Sequence, residues 1–247
     1  MKYSIITSNG RYLDWCLRGI QWQTFTDYEL IIVDWDAEPP LADLGPARIL
    51  RWPDRGAAWN HSVCRNFATA HAQAERLVFV NCDCLMAPDL LARADAMLDR
   101  DPGCQVYWQR FDLSEEGTEV LLDSVFPEGL FDIEDLAPQW GEFHALSTYG
   151  DFLAVGREVV VEYGGFDERM EGWGVYDQNL ACRLDRAGHH IAWGEGPGLA
   201  HFWHPRDKAA QDRTWRANID AGEADWLDGL NVANDGPATF DRYRGMV

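Results

Sequence analysis

Tyr163-Gly164-Gly165-Phe166-Asp167-Glu168-Arg169-Met170-Glu171-Gly172-Trp173-Gly174-Val175-Tyr176-Asp177 is the stretch on which the reading of this chain turns. Glycine reaches backbone conformations closed to other residues, so Gly172 and Gly174 let the chain bend sharply while Trp173 places a large flat ring at the bend. Asp177 stands where a helical run begins, Gln178-Asn179-Leu180-Ala181-Cys182-Arg183-Leu184, which stops near Gly188. The segment closes on His201-Phe202-Trp203-His204-Pro205-Arg206-Asp207-Lys208. Glycine turns, an aromatic plate, a carboxylate and a His pair suit a site for a sugar. The same tract also reads as a Gly-rich turn capped by Asp177, because an Asp carboxylate accepts the free N–H groups of a first helical turn.

Working outward, the N-terminal third alternates apolar runs with helical spacing. Tyr3–Thr7 reads as a strand ending in Ser8-Asn9-Gly10, Tyr12–Gln21 as a helix, and Leu30–Asp34 as a strand buried on both faces. Ligands of open α/β sheets bind outside the carboxyl ends of the strands, so Thr7, Asn9, Asp34 and Asp36 are candidates to contact a base and ribose. Polar residues at strand ends also serve simply to start turns. Arg48–Arg51 reads as a short strand, and a helix from about Ala57 to Ala74 carries Asn60, Arg65 and Asn66. Arg65 is a candidate for a diphosphate, against the plain reading of a solvated helix-surface cation. Leu77–Val80 is a further buried strand ending in Asn81-Cys82-Asp83, and Pro88 is placed to start a helix over Asp89–Leu98.

Strand Tyr3–Thr7, Asp34 after an apolar strand, Arg65-Asn66 and Asp83 beyond a further strand resemble the nucleotide-binding half of family-2-type glycosyltransferases of the GT-A fold. The resemblance implies an α/β chain with a Rossmann-like mixed central sheet flanked by helices. It implies one GT-A domain over residues 1–247: a nucleotide-binding half at 1–100, an acceptor and catalytic half at 101–208, and a C-terminal helix and tail at 209–247. The family's acid cluster is Asp-x-Asp; here Asn81-Cys82-Asp83 keeps only the second acid, with Asn81 and Asp83 beside the donor. A carboxylate is needed there because Mg²⁺ or Mn²⁺ must bridge it to diphosphate oxygens.

Gly164-Gly165-Phe166-Asp167-Glu168, Gly172-Trp173-Gly174, Asp177 and Arg183-Leu184 resemble the carboxy-terminal segment of galactosyltransferases. That segment is shared by β-1,4-galactosyltransferases, chondroitin-polymerase-like enzymes and, more loosely, polypeptide N-acetylgalactosaminyltransferases. Their tract reads Trp-Gly-Gly-Glu-Asp, and Asp177 matches its final Asp, the base; Tyr176 stands where the Glu would be. The resemblance puts Trp173 and Gly174 against the sugar and makes His201 and His204 metal ligands with Asp83. Two imidazoles favour Mn²⁺ over Mg²⁺. It implies a UDP-sugar donor and a hexose or N-acetylhexosamine transferred to a carbohydrate or other acceptor hydroxyl. Asp177 as base favours inversion, and retention stays open because Asp177-Gln178-Asn179-Leu180 departs from the galactosyltransferase pattern. Arg206, Asp207 and Lys208 fall on a loop that closes over the donor in many such enzymes.

Composition narrows the alternatives. The net charge of -20 repels nucleic-acid phosphates, and no run of about 18 apolar residues exists to span a membrane. Met1-Lys2-Tyr3-Ser4-Ile5-Ile6 carries no signal-peptide cleavage pattern, so a cytoplasmic protein is expected. The six cysteines match no zinc spacing and read as reduced thiols. Residues 112–148 lack clear periodicity and read as a lid or acceptor-specificity region. Residues 209–226 read as a helix with Trp215, Ile219 and Trp226 as packing residues, and 231–247 as an irregular tail. Two rival classes share parts of the pattern. One is a non-catalytic nucleotide- or carbohydrate-binding domain, suggested by Asn81 and Tyr176. The other is a nucleotidyltransferase, although Ser8-Asn9-Gly10-Arg11 is too short for its phosphate loop.

Overall fold

β1 (Tyr3–Ser8), α1 (Leu13–Gln21), β2 (Tyr28–Asp34) and β3 (Arg48–Arg51) lead into α2 (His61–His71), β4 (Arg76–Val80) and β5 (Cys84–Met86). α3 (Leu90–Arg100), β6 (Gln105–Leu113), α4 (Glu115–Asp123), β7 (Gly141–His144) and β8 (Phe152–Gly156) follow. The chain ends with α5 (Arg157–Glu162), α6 (Tyr176–Arg186), β9 (Ile191–His201), α7 (Lys208–Asp228) and α8 (Asp241–Arg244). This computed structural model describes residues 1–54, 56–123, 133, 138–144, 150–172, 174–228 and 233–246.

Among the described residues the strands form one mixed sheet in the order β3-β2-β1-β4-β8-β6-β9-β5, with β7 pairing onto β6. β3, β2, β1 and β4 run parallel. The inner three, β2, β1 and β4, are apolar over most of their length because both faces are covered, whereas the edge strand β3 buries Leu50 and exposes Arg51. Ile5, Val78, Ala154 and Val106 join the core on the α1 and α3 side, while Ile6, Phe79, Leu153 and Tyr107 face α2 and α6. β8 is antiparallel to both β4 and β6, and β9 is parallel to β6. The expected mixed α/β architecture is the one observed. No helix among the described residues is long and apolar enough to cross a membrane.

Several elements differ from the sequence expectation for identifiable reasons. α2 begins at His61 rather than near Ala57 because the Asn60 side chain caps it, accepting from the Val63 N–H at 3.0 Å. β6 runs on to Leu113, and α4, a 3₁₀ turn at Pro138–Trp140 and β7 occupy part of the region read as irregular; its other residues lie outside those described. The tail is packed: Phe240 and Tyr243 are buried, and the Tyr243 ring meets Phe67 and Trp52. Asp177 is not the N-cap of α6. Val175 holds that position at φ 71°, and Asp177 lies in the first turn.

β9 was not legible as a strand because its middle reads Gly194-Glu195-Gly196-Pro197-Gly198. The glycines are there for Trp108 of β6. A Cβ at Gly194 or at Gly198 would lie 2.3 Å from its indole, and its Nε1 donates to the Gly196 carbonyl at 3.0 Å. Gly194→Ala is therefore expected to cost ~1–3 kcal/mol by overpacking. In thermal unfolding this appears as a lowering of roughly 2–12 °C for a chain of this size.

Candidate active site

The strand order reverses between β1 and β4, and the crevice opening at their carboxyl ends is where such sheets take ligands. Here it is a cleft of 460 Å³. Ser8 at the end of β1, Asn9 just after it, and Asn81, Cys82 and Asp83 beyond β4 are among its lining residues. Trp59 and His61 stand at the head of α2, and Gly174–Gln178 lead into α6. His201, His204, Arg206 and Trp215 complete the rim.

β5 and β9 bring the acid and the imidazoles together. Cys84 pairs with His201 across these antiparallel strands, so Asp83 arrives beside the end of β9. Asp83 Oδ2 lies 3.4 Å from His201 Nε2 and 3.3 Å from His204 Nε2. Potential ligand atoms of the three residues fall within 4.8 Å of one another. Ligands bonded to one divalent ion at ~2.1 Å sit ~3.0–3.4 Å apart, so the carboxylate–imidazole spacings fit a shared ion. Burial works to raise the Asp83 pKa, but the two imidazoles outweigh it and hold the carboxylate well below its ordinary range.

His201 has a second carboxylate. β6 pairs with β9 so that Asp112 lies opposite His201, with Oδ1 at 3.1 Å from Nδ1. A carboxylate on one ring nitrogen fixes the ring and leaves the other nitrogen for a metal. Burial lowers the His201 pKa, but Asp112 and Asp83 more than offset this and raise it to about 9. An ion at Nε2 would therefore have to displace a proton, which ties metal affinity to pH.

From Asp112 a polar chain crosses the floor of the cleft to Asp177. Arg110 bridges Asp112 at 2.6 Å and Asp151 at 2.5 Å. The Asn81 amide donates to Asp151 Oδ1 at 3.1 Å, and its carbonyl accepts from Arg65 at 2.9 Å. Arg65 then donates to the Gly150 carbonyl at 2.8 Å and to Asp177 Oδ1 at 3.2 Å. Burial lifts the Asp177 pKa to about 7, with Arg65 opposing and the Asp151 charge adding to the rise. The other oxygen lies close to Gly150, where a Cβ would come within 2.4 Å of Oδ2.

The glycine-rich tract aims this carboxylate. Gly164 and Gly165 take φ of +75° and +70°. Asn66 then grips Phe166 on both backbone groups, at 2.9 Å from its N–H and 2.8 Å to its carbonyl. Arg183 of α6 reaches back to the Tyr163 and Gly165 carbonyls. Tyr176 stacks on His61 with centroids 5.0 Å apart, and both residues line the cleft.

The expected site residues therefore separate. Asn9, Asn81, Asp83, Gly174, Asp177, His201 and His204 line the cleft. Asn9 is partly committed, since its side-chain oxygen accepts from Trp35 N–H at 2.9 Å. Thr7 does not face this cleft; its buried hydroxyl lies 3.9 Å from Cys16 Sγ. Asp34 is also turned away, binding the Ala37 and Leu41 N–H groups at 3.0 and 3.1 Å. Arg65 is buried rather than solvated, and three of its N–H groups go to Asn81, Gly150 and Asp177; it does not line the cleft. Trp173 lies outside the described residues. Arg110, Asp112 and Asp151 escaped the sequence reading, although Arg110 and Asp112 alternate along β6 and so share a face.

Asp112, Ser114, Gln139 and Glu142 line an adjoining cleft of 650 Å³, which shares His201, His204 and Arg206 with the first. The loop after β9 reaches α7, where Asp207 accepts from the Ala210 N–H at 3.0 Å.

Comparison with known proteins agrees with this architecture. S. aureus TarS 1-349 superposes with a TM-score of 0.62 at 14% identity, over 99% of this chain and 69% of that one. GalNAc-T7, solved with UDP, GalNAc and Mn²⁺, gives 0.61 at 13% identity, over 83% and 44%. The mannosyltransferase PcManGT from Pyrobaculum calidifontis, in complex with GDP-Man and Mn²⁺, gives 0.59 at 18% identity, over 98% and 68%. No curated protein matches the chain in sequence. The family model described as glycosyltransferase like family 2 matches residues 8–193, three quarters of the sequence and both sides of the β1–β4 crevice, and the chain belongs to that family.

Proposed function

We propose that this protein is a metal-dependent glycosyltransferase that moves a hexose or N-acetylhexosamine from a UDP-sugar to an acceptor hydroxyl with inversion. The observation carrying this reading is the meeting of Asp83, His201 and His204 in the same cleft as Asp177. Solved structures sharing the fold hold UDP, UDP-GlcNAc or GDP-Man, two of them with Mn²⁺. The galactosyltransferase-like character of residues 163–208 rests on their sequence motif.

In this reading Asp83, His201 and His204 would hold Mn²⁺, whose charge would offset that of a diphosphate leaving group. Asp112, on Nδ1, holds the His201 ring with Nε2 toward Asp83, where it would be placed to serve as a ligand. Arg206, exposed at the rim, meets charge developing on the departing nucleotide. Asp177 takes the proton from the acceptor hydroxyl as that oxygen attacks the anomeric carbon. Arg65 anchors one Asp177 oxygen and leaves the other for the alcohol.

A thermal-shift panel of nucleotide sugars with and without Mn²⁺ tests the donor half. A cognate donor at 100 times its Kd should stabilise the fold by ~2.7 kcal/mol, and only with metal present. Equal shifts with and without Mn²⁺, or none for any nucleotide sugar, would refute it. His204→Ala should abolish the metal-dependent part of the shift. Asp112→Asn should weaken Mn²⁺ binding roughly 10–100-fold, as loss of a ring-orienting partner does, measured by titrating the shift with metal. Pyrophosphate release from a nucleoside triphosphate would point to a nucleotidyltransferase instead.

A further inference from the structure

We infer that Trp215 is the platform on which the acceptor lies, and hence that the acceptor is itself a saccharide whose ring stacks on this indole. The inference rests on the glycosyltransferase reading above and names the substrate class that enters the same cleft.

Trp215 is expected from the sequence to be a packing residue of the helix that follows β9. It is instead 43% exposed, and it lines the cleft that holds Asp177. Its edge rests on the backbone of Gly174, where a Cβ would stand 2.8 Å from Cδ1, three residues before Asp177. The helix cannot easily lift away. Asn218, one turn further on and 2% exposed, donates to the Glu171 and Gly174 carbonyls at 3.0 and 2.8 Å. Thr214 packs on Gly172, whose missing side chain would meet its Cγ2 at 2.9 Å. Thr214 and Asn218 thus clamp α7 onto the turn that carries Asp177, and they hold the indole fixed with much of its surface open.

A large apolar surface left open costs free energy unless something covers it. The occupant must sit within reach of Asp177 and present a hydroxyl to it. A pyranose satisfies both demands. Its axial C–H face is apolar and covers an aromatic plate, while its rim of hydroxyls turns one toward the carboxylate. A flexible alcohol, a lipid chain or a peptide hydroxyl offers no such flat apolar face beside a reactive oxygen. An indole clamped before binding also costs little further entropy when the sugar arrives.

The test compares wild type, Trp215→Phe and Trp215→Leu in Mn²⁺ with the donor chosen by thermal shift. Leu retains packing against Gly174 but lacks a π face, so the pair separates stacking from support of the turn. Three quantities are measured: donor-induced thermal shift, donor hydrolysis without acceptor, and transfer to a panel. The panel holds methyl pyranosides and disaccharides of glucose, galactose and their N-acetylamino forms, against glycerol and a Ser/Thr peptide. Wild type should transfer to members of the saccharide arm. Trp215→Leu should lose about 30-fold or more in kcat/KM there, chiefly through KM, and Trp215→Phe about fivefold or less. Donor shift and hydrolysis should stay within twofold in both variants. Transfer by wild type only to glycerol or the peptide would overturn the inference, as would equal saccharide transfer by Trp215→Leu or a parallel loss of donor hydrolysis. Absence of any metal-dependent donor binding or hydrolysis by wild type would instead defeat the glycosyltransferase reading, and this inference with it.

Discussion

Asp177→Asn is expected to lower the transfer rate by about 10²–10⁴-fold, the range a positioned general base supplies, while leaving donor affinity within a few-fold. Asn keeps the shape and still accepts from Arg65, but it cannot take a proton. In the wild type, burial holds Asp177 at a pKa of about 7, against an ordinary value of 3.8. A base must be deprotonated to act, so the transfer rate should rise with pH and level off above about 7. The variant's residual rate should lack that limb. The same shift has a cost for the fold. Because the neutral carboxyl is favoured in the folded state, this group's contribution to stability is greatest at low pH and declines as pH climbs from about 4 to about 7. Initial rates from pH 5 to 9 under saturating donor provide the check; a flat wild-type profile would remove Asp177 as the titrating base.

Arg65→Met should be the most destabilising change near the site. Arg65 is 6% exposed, and its departure strands the Asp177 carboxylate, the Asn81 carbonyl and the Gly150 carbonyl together. Its guanidinium also lies over the Phe166 and Tyr176 rings at 5.0 and 5.2 Å, contacts that Met fills only with apolar bulk. Removing one partner of a buried ion pair costs ~3–5 kcal/mol, or roughly 6–20 °C in Tm at this chain length. The penalty should depend on pH with a definite sign. Arg65 works to lower the Asp177 pKa, so its loss moves that pKa above 7. Below pH 6 the carboxyl is neutral in both proteins and the gap in Tm narrows; above pH 8 it widens. Denaturation at pH 5.5 and 8.5 distinguishes this from simple loss of volume, which would give the same gap at both.

What was legible in the sequence, and what was not, follows from the kind of information each feature needs. The parallel strands β1, β2 and β4 declare themselves because a strand covered on both faces must be apolar throughout. β5 has only three residues, and β9 is interrupted by the glycines that Trp108 requires, so neither carries a strand's signature. Asp83, His201 and His204 stand out through the family resemblance, and their meeting needs only the end of β9 to lie beside β5. Asp112 was invisible because its place opposite His201 depends on β6–β9 pairing that shifts twice around Gln109. Arg65 and Asp34 were found as polar residues in the right neighbourhood, but a one-dimensional pattern does not say which way a side chain turns. Arg65 faces inward to a carboxylate more than a hundred positions away, and Asp34 folds back onto its own loop.

The indole of Trp108, seated where side chains at 194 and 198 would be, acts as a detent between two strands whose pairing is irregular around Gln109. A slip of one residue would turn every side chain of β9 to the opposite face. A slip of two would set the imidazole of His201 against Arg110 or Ser114 instead of an acid. An apolar ring four positions along the strand, ~13 Å away at ordinary strand rise, thus fixes the alignment on which any ion binding depends. Loosening it would part His201 from Asp112 and Asp83 without changing any of the three.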